Sequence, residues 1–318
     1  MTVAIVGAGA IGGLLGAHLV RSGEDVILIA RGAHLQAMRS RGLTIRQAGT
    51  EFVVRTRATD DIAAIGEADV VFVTLKAHGI PPVAEAIGRS LQRTAVVVGA
   101  MNGIPWWYFP DRHLESVDPG GVIARSIQLE QVVGSVVYPA ASLVAPGVIE
   151  HEEGDRVSIG EPDGSKSERA QALSRMLTAA SFKAPVQSRI RNEIWLKLVG
   201  NATLNPVSAV TRATMGEMFA SERSRALIRT LMQEVASVAA AYGIELPLGI
   251  ERRMQGAAAV AGHKTSMLQD LEAGKPLETD ALLGAVIELA DTSQVEVPSL
   301  RALYALTKLA EEVGTRRD

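Results

Sequence analysis

Short apolar runs alternate with stretches of helical spacing through the first part of the chain. Residues 3–6, 25–30, 69–75 and 94–98 are β-branched runs of strand length. Between them, residues 11–22, 32–41 and 82–91 place apolar side chains at the period of a helix. Strand, helix, strand in repeated order predicts a parallel sheet with right-handed crossovers. After about residue 130 the pattern changes. Residues 131–138, 147–151 and 156–159 predict strands joined by turns, with Pro146-Gly147 marking a tight one, and they are expected to extend the sheet in antiparallel fashion. From residue 192 the strand signals nearly vanish. Residues 192–208, 221–242, 251–261, 279–291 and 299–313 are rich in Ala, Leu, Met, Glu and Arg and predict an all-helical region. The fold class is therefore α/β followed by helices, with a first domain over 1–186, a second over 187–318, and the boundary near Pro185.

Composition narrows the chemistry. A chain of 318 residues buries a core large enough to need no disulfide or structural metal. The 32 Lys and Arg against 35 Asp and Glu leave a formal charge of −3, which argues against nucleic acid and against a polybasic membrane surface. The chain has no cysteine, so a thiolate nucleophile, a Cys-ligated zinc and an iron–sulfur cluster are excluded together. The six histidines show no metal-binding spacing, and no metal is expected. The longest apolar stretch, residues 132–149, is interrupted by Gly134, Pro139, Pro146 and Gly147 and is not expected to span a membrane. No basic leader precedes the first strand, and a cytoplasmic protein is expected.

The strongest motif is Gly7-Ala8-Gly9-Ala10-Ile11-Gly12, a G-x-G-x-x-G run between the first strand and the first helix. In that setting the glycines permit a tight turn, close approach of a pyrophosphate, and close helix–strand packing, while the helix N-terminus offers free N–H groups. The bland alternative is a glycine turn that holds no ligand. At the end of the second strand an NAD site expects an acid, whereas this chain has Ala30-Arg31. A guanidinium there suits a 2′-phosphate, which favours NADPH; a solvent-facing loop arginine is the alternative. Lys76 and Asn102 follow the third and fourth strands at the rim where α/β sheets bind ligands. In the helical region Lys197, Asn201 and Asn205 recur at i, i+4 and i+8 and share one helix face. That stripe is either a ligand-binding surface or a solvated face.

With these residues in view, the chain resembles the ketopantoate reductase (2-dehydropantoate 2-reductase) family. The resemblance rests on GAGAIG at 7–12, Arg31, Leu75-Lys76, the NGIPWWYF segment from Asn102, Lys197-x-x-x-Asn201-x-x-x-Asn205-Pro206, the run from Ser266 to Asp270, and Glu278. It implies a Rossmann-type domain that binds NADPH and a helical domain for substrate. The implied reaction is reduction of the keto group of 2-dehydropantoate to (R)-pantoate, a step toward pantothenate. By resemblance Lys197 is the proton donor, and Asn201, Asn205 and Ser266 hold the substrate. Glu278 contacts the cofactor or the lysine, and Asn102 lies where nicotinamide and substrate meet. The physical logic agrees, because hydride addition builds negative charge on oxygen that an ammonium stabilises and then protonates. The resemblance also leans toward a homodimer through the helical domain.

Two positions depart from the family pattern. Met215 stands where a substrate-binding asparagine is found, and His263 stands where an asparagine is frequent. A thioether is a weak acceptor and does not replace an amide. These changes bear on which 2-keto acid is reduced. Three readings follow: a ketopantoate-type NADPH reductase, a dehydrogenase of another 2-keto or hydroxy acid on a related scaffold, and a non-catalytic NADP(H) sensor.

Overall fold

The computed structural model describes residues 1–246, 249–260 and 262–315. The chain forms two units. The first comprises Met1–Met101, Pro105–His113 and Asp118–Ile190; the second comprises Asn102–Ile104, Leu114–Val117 and the chain from Arg191 onward.

In the first unit the apolar runs become a seven-stranded sheet. Its strands are β1 (Thr2–Val6), β2 (Asp25–Ile29), β5 (Arg57–Thr59), β6 (Val70–Val73), β7 (Val96–Gly99), β8 (Val132–Val137) and β11 (Val157–Gly160). They lie in the order β11-β8-β7-β6-β1-β2-β5, and every pair is parallel except β11 on β8. β1 and β6 carry nothing but buried side chains after their first residues, as a sheet covered on both faces requires. The chain winds from β1 outward through β2 to β5, then returns to β6 on the other side of β1. The strand order therefore reverses between β1 and β6, and ligands of such sheets bind outside the carboxyl ends at that point.

A second sheet was not expected from the sequence. β3 (Leu43–Gln47), β4 (Thr50–Val54), β9 (Ala140–Ala145) and β10 (Val148–Glu153) pair in the order β4-β3-β10-β9. The expected antiparallel extension of the main sheet is present, but one of the three marked segments alone carries it. Only β11 extends it antiparallel; β8 joins parallel to β7, and β10 leaves to pair parallel with β3, about a hundred residues earlier. Apolar alternation marks a strand but not its partner. α1 (Ala10–Arg21) packs against both sheets through bare backbone. A Cβ at Gly16 would fall 2.5 Å from Leu28 Cδ2, and Gly13 lies against Ile149 and Leu43. α2 (Gly32–Arg41), α3 (Pro81–Ser90) and α4 (Val122–Ser126) complete the crossovers, and α5 (Glu168–Ala179), absent from the sequence reading, adds Leu173, Met176 and Leu177 to the core. The indoles of Trp106 and Trp107 are core residues laid over Gly99 and Gly134.

The second unit is helical. α6 (Ile190–Thr211) is followed by α7 (Met215–Ala220), α8 (Glu222–Ala241), α9 (Ile250–Ala258), α10 (Ser266–Glu272), α11 (Ala285–Ser293) and α12 (Pro298–Thr315). The expected helix over 251–261 ends at Ala258; its final residue, Ala261, and the chain end 316–318 lie outside the described residues. α6 buries Trp195, Leu198, Val199 and Ala202 and carries Pro206 inside its length. α11 is preceded by a turn of π-helix, Asp280–Gly284, which begins two residues after Glu278. Such turns insert a residue into the helical ladder and re-aim the side chains beside them.

Candidate active site

The glycine run closes the carboxyl end of β1. Gly7 adopts φ +99°, a left-handed conformation that glycine tolerates, and a Cβ there would meet Leu75 at 2.7 Å. Gly7 and Ala8 donate their N–H groups to Ile29 O at 3.1 and 2.8 Å, tying the loop to the end of β2. Thr74 Oγ1 donates to Gly7 O at 2.7 Å from the end of β6, and Gly12 has Thr74 and the Gly7 carbonyl where its Cβ would be.

Gly9 is different. Its φ and ψ of −74° and −150° are open to any residue, and a Cβ there would meet no protein atom closer than 4.0 Å. Neither conformation nor internal packing requires glycine at 9. It caps α1 without a side chain, and the first turn of that helix holds no acid, so no side chain opposes the positive end of the dipole where an anion would bind. Those features fit a pyrophosphate, and Gly7 through Gly12 are the residues that would cradle it.

Arg31 follows β2, caps α2 and is exposed; its carbonyl accepts the Leu35 N–H at 3.4 Å, and its guanidinium makes no hydrogen bond or ion pair among the described residues. Lys76 is half-buried at the turn after β6. Sequence reasoning missed His34. Its Nδ1 accepts the Gly147 N–H at 2.9 Å, so its Nε2 carries the hydrogen and donates to Ala8 O at 2.7 Å. Burial holds this imidazole below its ordinary pKa, and the neutral ring joins the glycine loop to the second sheet. Only the spacing of His34 from the glycine run was visible, and that carries no signal.

In the second unit the structure brings Lys197, Asn102 and Glu278 together. Lys197 Nζ donates to Asn102 Oδ1 at 2.8 Å, and Asn102 Nδ2 donates to Glu278 Oε2 at 3.2 Å. The order is fixed by chemistry, because an ammonium has only donors and a carboxylate only acceptors, with the amide oriented between them. Asn102 is held by its neighbour Gly103, which takes φ +87° and lies against the carbonyl of Ala281 in the π turn. Asp280 in that turn accepts from Tyr304 Oη at 2.7 Å and pairs with Lys308 at 3.0 Å, and Leu277 N–H donates to Glu311 at 2.8 Å. The residues on both sides of Glu278 are thus fixed to α12.

Burial pushes the Lys197 ammonium down to about 8; the nearby Glu278 carboxylate opposes this shift and the Arg253 guanidinium adds to it. Asn201 and Asn205 continue the same face of α6, half-buried and buried, and neither amide has a protein hydrogen-bond partner among the described residues. Ser266 stands exposed at the first position of α10, whose N-cap is Thr265, and no hydrogen bond joins it to the Lys197 set. The two departures from the family pattern are neighbours: Met215 N–H donates to His263 O at 3.0 Å.

A Rossmann-type sheet with its glycine loop, and a helical unit carrying a lysine–amide–carboxylate set, define an oxidoreductase acting on CH–OH groups. The family model "Ketopantoate reductase PanE/ApbA" matches residues 3–164, and "Ketopantoate reductase PanE/ApbA C terminal" matches residues 189–311, so the chain belongs to the ketopantoate reductase family of NAD(P)-dependent oxidoreductases. A 2-dehydropantoate 2-reductase of Mesorhizobium japonicum is 44% identical over 99% of both chains. A solved structure from Ralstonia solanacearum is 38% identical, with TM-score 0.93 over 98% of both chains. D-mandelate dehydrogenase, solved with NADH and anilino(oxo)acetate, shares the fold at TM-score 0.87 over 99% of both chains and 22% identity. Among the described residues no helix is long and apolar enough to cross a membrane.

Proposed function

We propose that this protein reduces 2-dehydropantoate to (R)-pantoate with NADPH, and that Lys197 protonates the oxygen. The observation that carries the reading is the Lys197–Asn102–Glu278 chain on the same unit as two asparagine amides that have no hydrogen-bond partner among the described residues. A reduced nicotinamide, when bound, supplies the hydride that converts the substrate's carbonyl carbon to an alcohol carbon. Everything else falls to side chains. As hydride arrives, the carbonyl oxygen gains negative charge, and an ammonium near pKa 8 both stabilises that charge and gives up a proton readily near neutral pH. Glu278 favours the charged form of Lys197, and Asn102 orients the ammonium through its own bond to Glu278. Asn201, Asn205 and Ser266 are assigned to the substrate's polar groups, as their amides and hydroxyl can donate and accept.

The cofactor residues are Gly7, Ala8, Gly9, Ala10, Ile11 and Gly12 for the pyrophosphate, with Lys76, Asn102 and Glu278 as further contacts. Arg31, exposed and with no side-chain hydrogen bond or ion pair among the described residues, is assigned to the 2′-phosphate, which makes NADPH the preferred nucleotide. The 44% identical relative supports the substrate. Met215 and His263, adjacent through their backbones, support the second reading, a reductase of a different 2-keto acid on the same scaffold. The helical region is assigned to substrate and to homodimer formation, and the cell compartment to the cytoplasm.

Lys197→Ala tests the role of the lysine. We expect kcat to fall by on the order of 10² or more while NADPH affinity, read by fluorescence titration, survives. For the wild type, reduction should slow as pH rises through about 8 and the ammonium loses its proton, whereas oxidation of the alcohol should accelerate over the same interval. Near-normal turnover in the variant, or a flat profile through pH 8, removes Lys197 from the chemistry.

A further inference from the structure

Every backbone polar group of residues 7–9 has a partner, and all but one of these partners belong to the loop, to α1 or to the ends of main-sheet strands. Gly7 and Ala8 donate to Ile29 O, Gly9 N–H donates to Gly7 O at 2.7 Å, and Gly9 O accepts from Gly13 N–H at 2.7 Å. Gly7 O also accepts from Thr74 Oγ1. The remaining group, Ala8 O, accepts at 2.7 Å from Nε2 of His34, a side chain of α2. Ala8 O lies on the flank of α1 that meets the second sheet, since a Cβ on Gly13 would fall 3.4 Å from it while pressing on Ile149. The first N–H groups of α1, from Ala10 on, are those that a helix leaves without an intrahelical acceptor.

The other side of the His34 ring meets a fixed point. Nδ1 accepts Gly147 N–H at 2.9 Å, Gly147 O accepts Thr44 N–H of β3 at 2.8 Å, and Arg41 Nη2 donates to Pro146 O at 3.2 Å. Gly147 takes φ +79°, and a Cβ there would meet Ala37 of α2 at 2.8 Å, so the turn sits flush on the helix that carries the ring. One ring nitrogen accepts and the other donates, a pairing that only the neutral imidazole offers. Ala8 O and Gly9 N–H point opposite ways across one planar trans peptide, so a donor that fixes the carbonyl also fixes the amide and the entry of the chain into α1. A carbonyl turned toward an anion would set a partial negative charge against it, whereas a phosphate loop works by offering N–H groups.

We propose that His34 is a positioning residue for the nucleotide: it holds the Ala8 carbonyl toward the second sheet, with the Pro146-Gly147 turn as its anchor, so that the loop offers N–H groups to the pyrophosphate. The proposal rests on the nucleotide-binding reading above and gives the second sheet a part in it. The ring acts through the loop that takes the pyrophosphate, which NADPH and NADH share. It therefore governs affinity for both nucleotides alike and leaves proton donation by Lys197 untouched.

The test measures Kd for NADPH and for NADH by fluorescence titration, and kcat with saturating NADPH and 2-dehydropantoate, in the wild type, His34→Asn, His34→Gln and His34→Phe. Asparagine keeps an acceptor near the place of Nδ1 but does not reach Ala8, whereas glutamine is long enough to bring an amide N–H to Ala8 O. His34→Asn and His34→Phe should weaken both nucleotides by the same factor, roughly five- to tenfold, the size of one lost hydrogen bond, while kcat at saturation stays close to that of the wild type. His34→Gln should restore most of the affinity. Asparagine is small and polar, so His34→Asn remains informative if His34→Phe fails to fold. An unchanged Kd in His34→Asn, whatever its thermal midpoint, overturns the proposal and makes the ring a packing residue. A loss confined to NADPH overturns it too, because it would place the ring at the 2′-phosphate. A wild type that binds neither nucleotide defeats the nucleotide reading as well, whereas binding that every variant keeps defeats this proposal alone.

Discussion

Gly9 gives the most direct test of the nucleotide loop at the scale of a single residue. Gly7 and Gly12 are each explained by protein atoms that a Cβ would strike, but Gly9 is not. Gly9→Ala should therefore leave the thermal midpoint within a degree or two and weaken NADPH binding by about tenfold or more in a fluorescence titration, since the methyl group would project where a phosphate approaches. A variant that loses stability and keeps its affinity would assign Gly9 to packing instead. The residues legible in the sequence were those whose meaning is local: the glycine run beside a strand, and Lys197 with two asparagines along one helix. Arg253 was not legible. It is 56 positions from the carbonyl it bonds, and an arginine in an amphipathic helix carries no mark that separates it from a solvated one. His34 escaped for the same reason, since its second partner lies 113 positions away.

The second sheet shows what hydrophobic patterning leaves unsaid about elements. Residues 147–151 were correctly marked as extended, yet their partner is β3 and not the main sheet. Period-two alternation fixes which face of a strand is buried, whereas the choice of neighbour depends on contacts with α1, whose Gly13 lets Ile149 approach. The short helices α7 and α10 were also unmarked; seven residues or fewer hold too little periodicity, although the Thr214–Glu217 capping box is a sequence signal for α7. The link between glycine loop and second sheet runs through neutral His34, and His18 on α1 bonds Gln47 of β3 at 3.1 Å. Burial holds both imidazoles below their ordinary pKa. Below about pH 6.5 the unfolded chain takes up protons that the folded chain refuses, so stability should decline as pH falls through that value toward the depressed folded pKa values. Thermal midpoints measured from pH 7.5 down to 5.5 should drop, and His34→Gln should flatten part of the drop. A wild-type midpoint constant over this interval would mean that neither ring is held neutral.

For the whole molecule, the α/β-then-helical plan was readable from where strand signals stop, and membership of the ketopantoate reductase family agrees with it over nearly the full chain. The particular substrate is the least local property of all. In the proposed reading it is divided among Lys197, Asn201, Asn205, Ser266 and the paired departures Met215 and His263, so no single motif encodes it. The central claim is that this scaffold delivers hydride from NADPH to a 2-oxo acid, with 2-dehydropantoate preferred. Initial rates of NADPH oxidation across a panel of 2-oxo acids, repeated with NADH, test it most directly. The account predicts the highest kcat/KM for 2-dehydropantoate, and a clear preference for NADPH consistent with Arg31 on the 2′-phosphate. Equal or better rates with NADH, or turnover confined to a different keto acid, would contradict it.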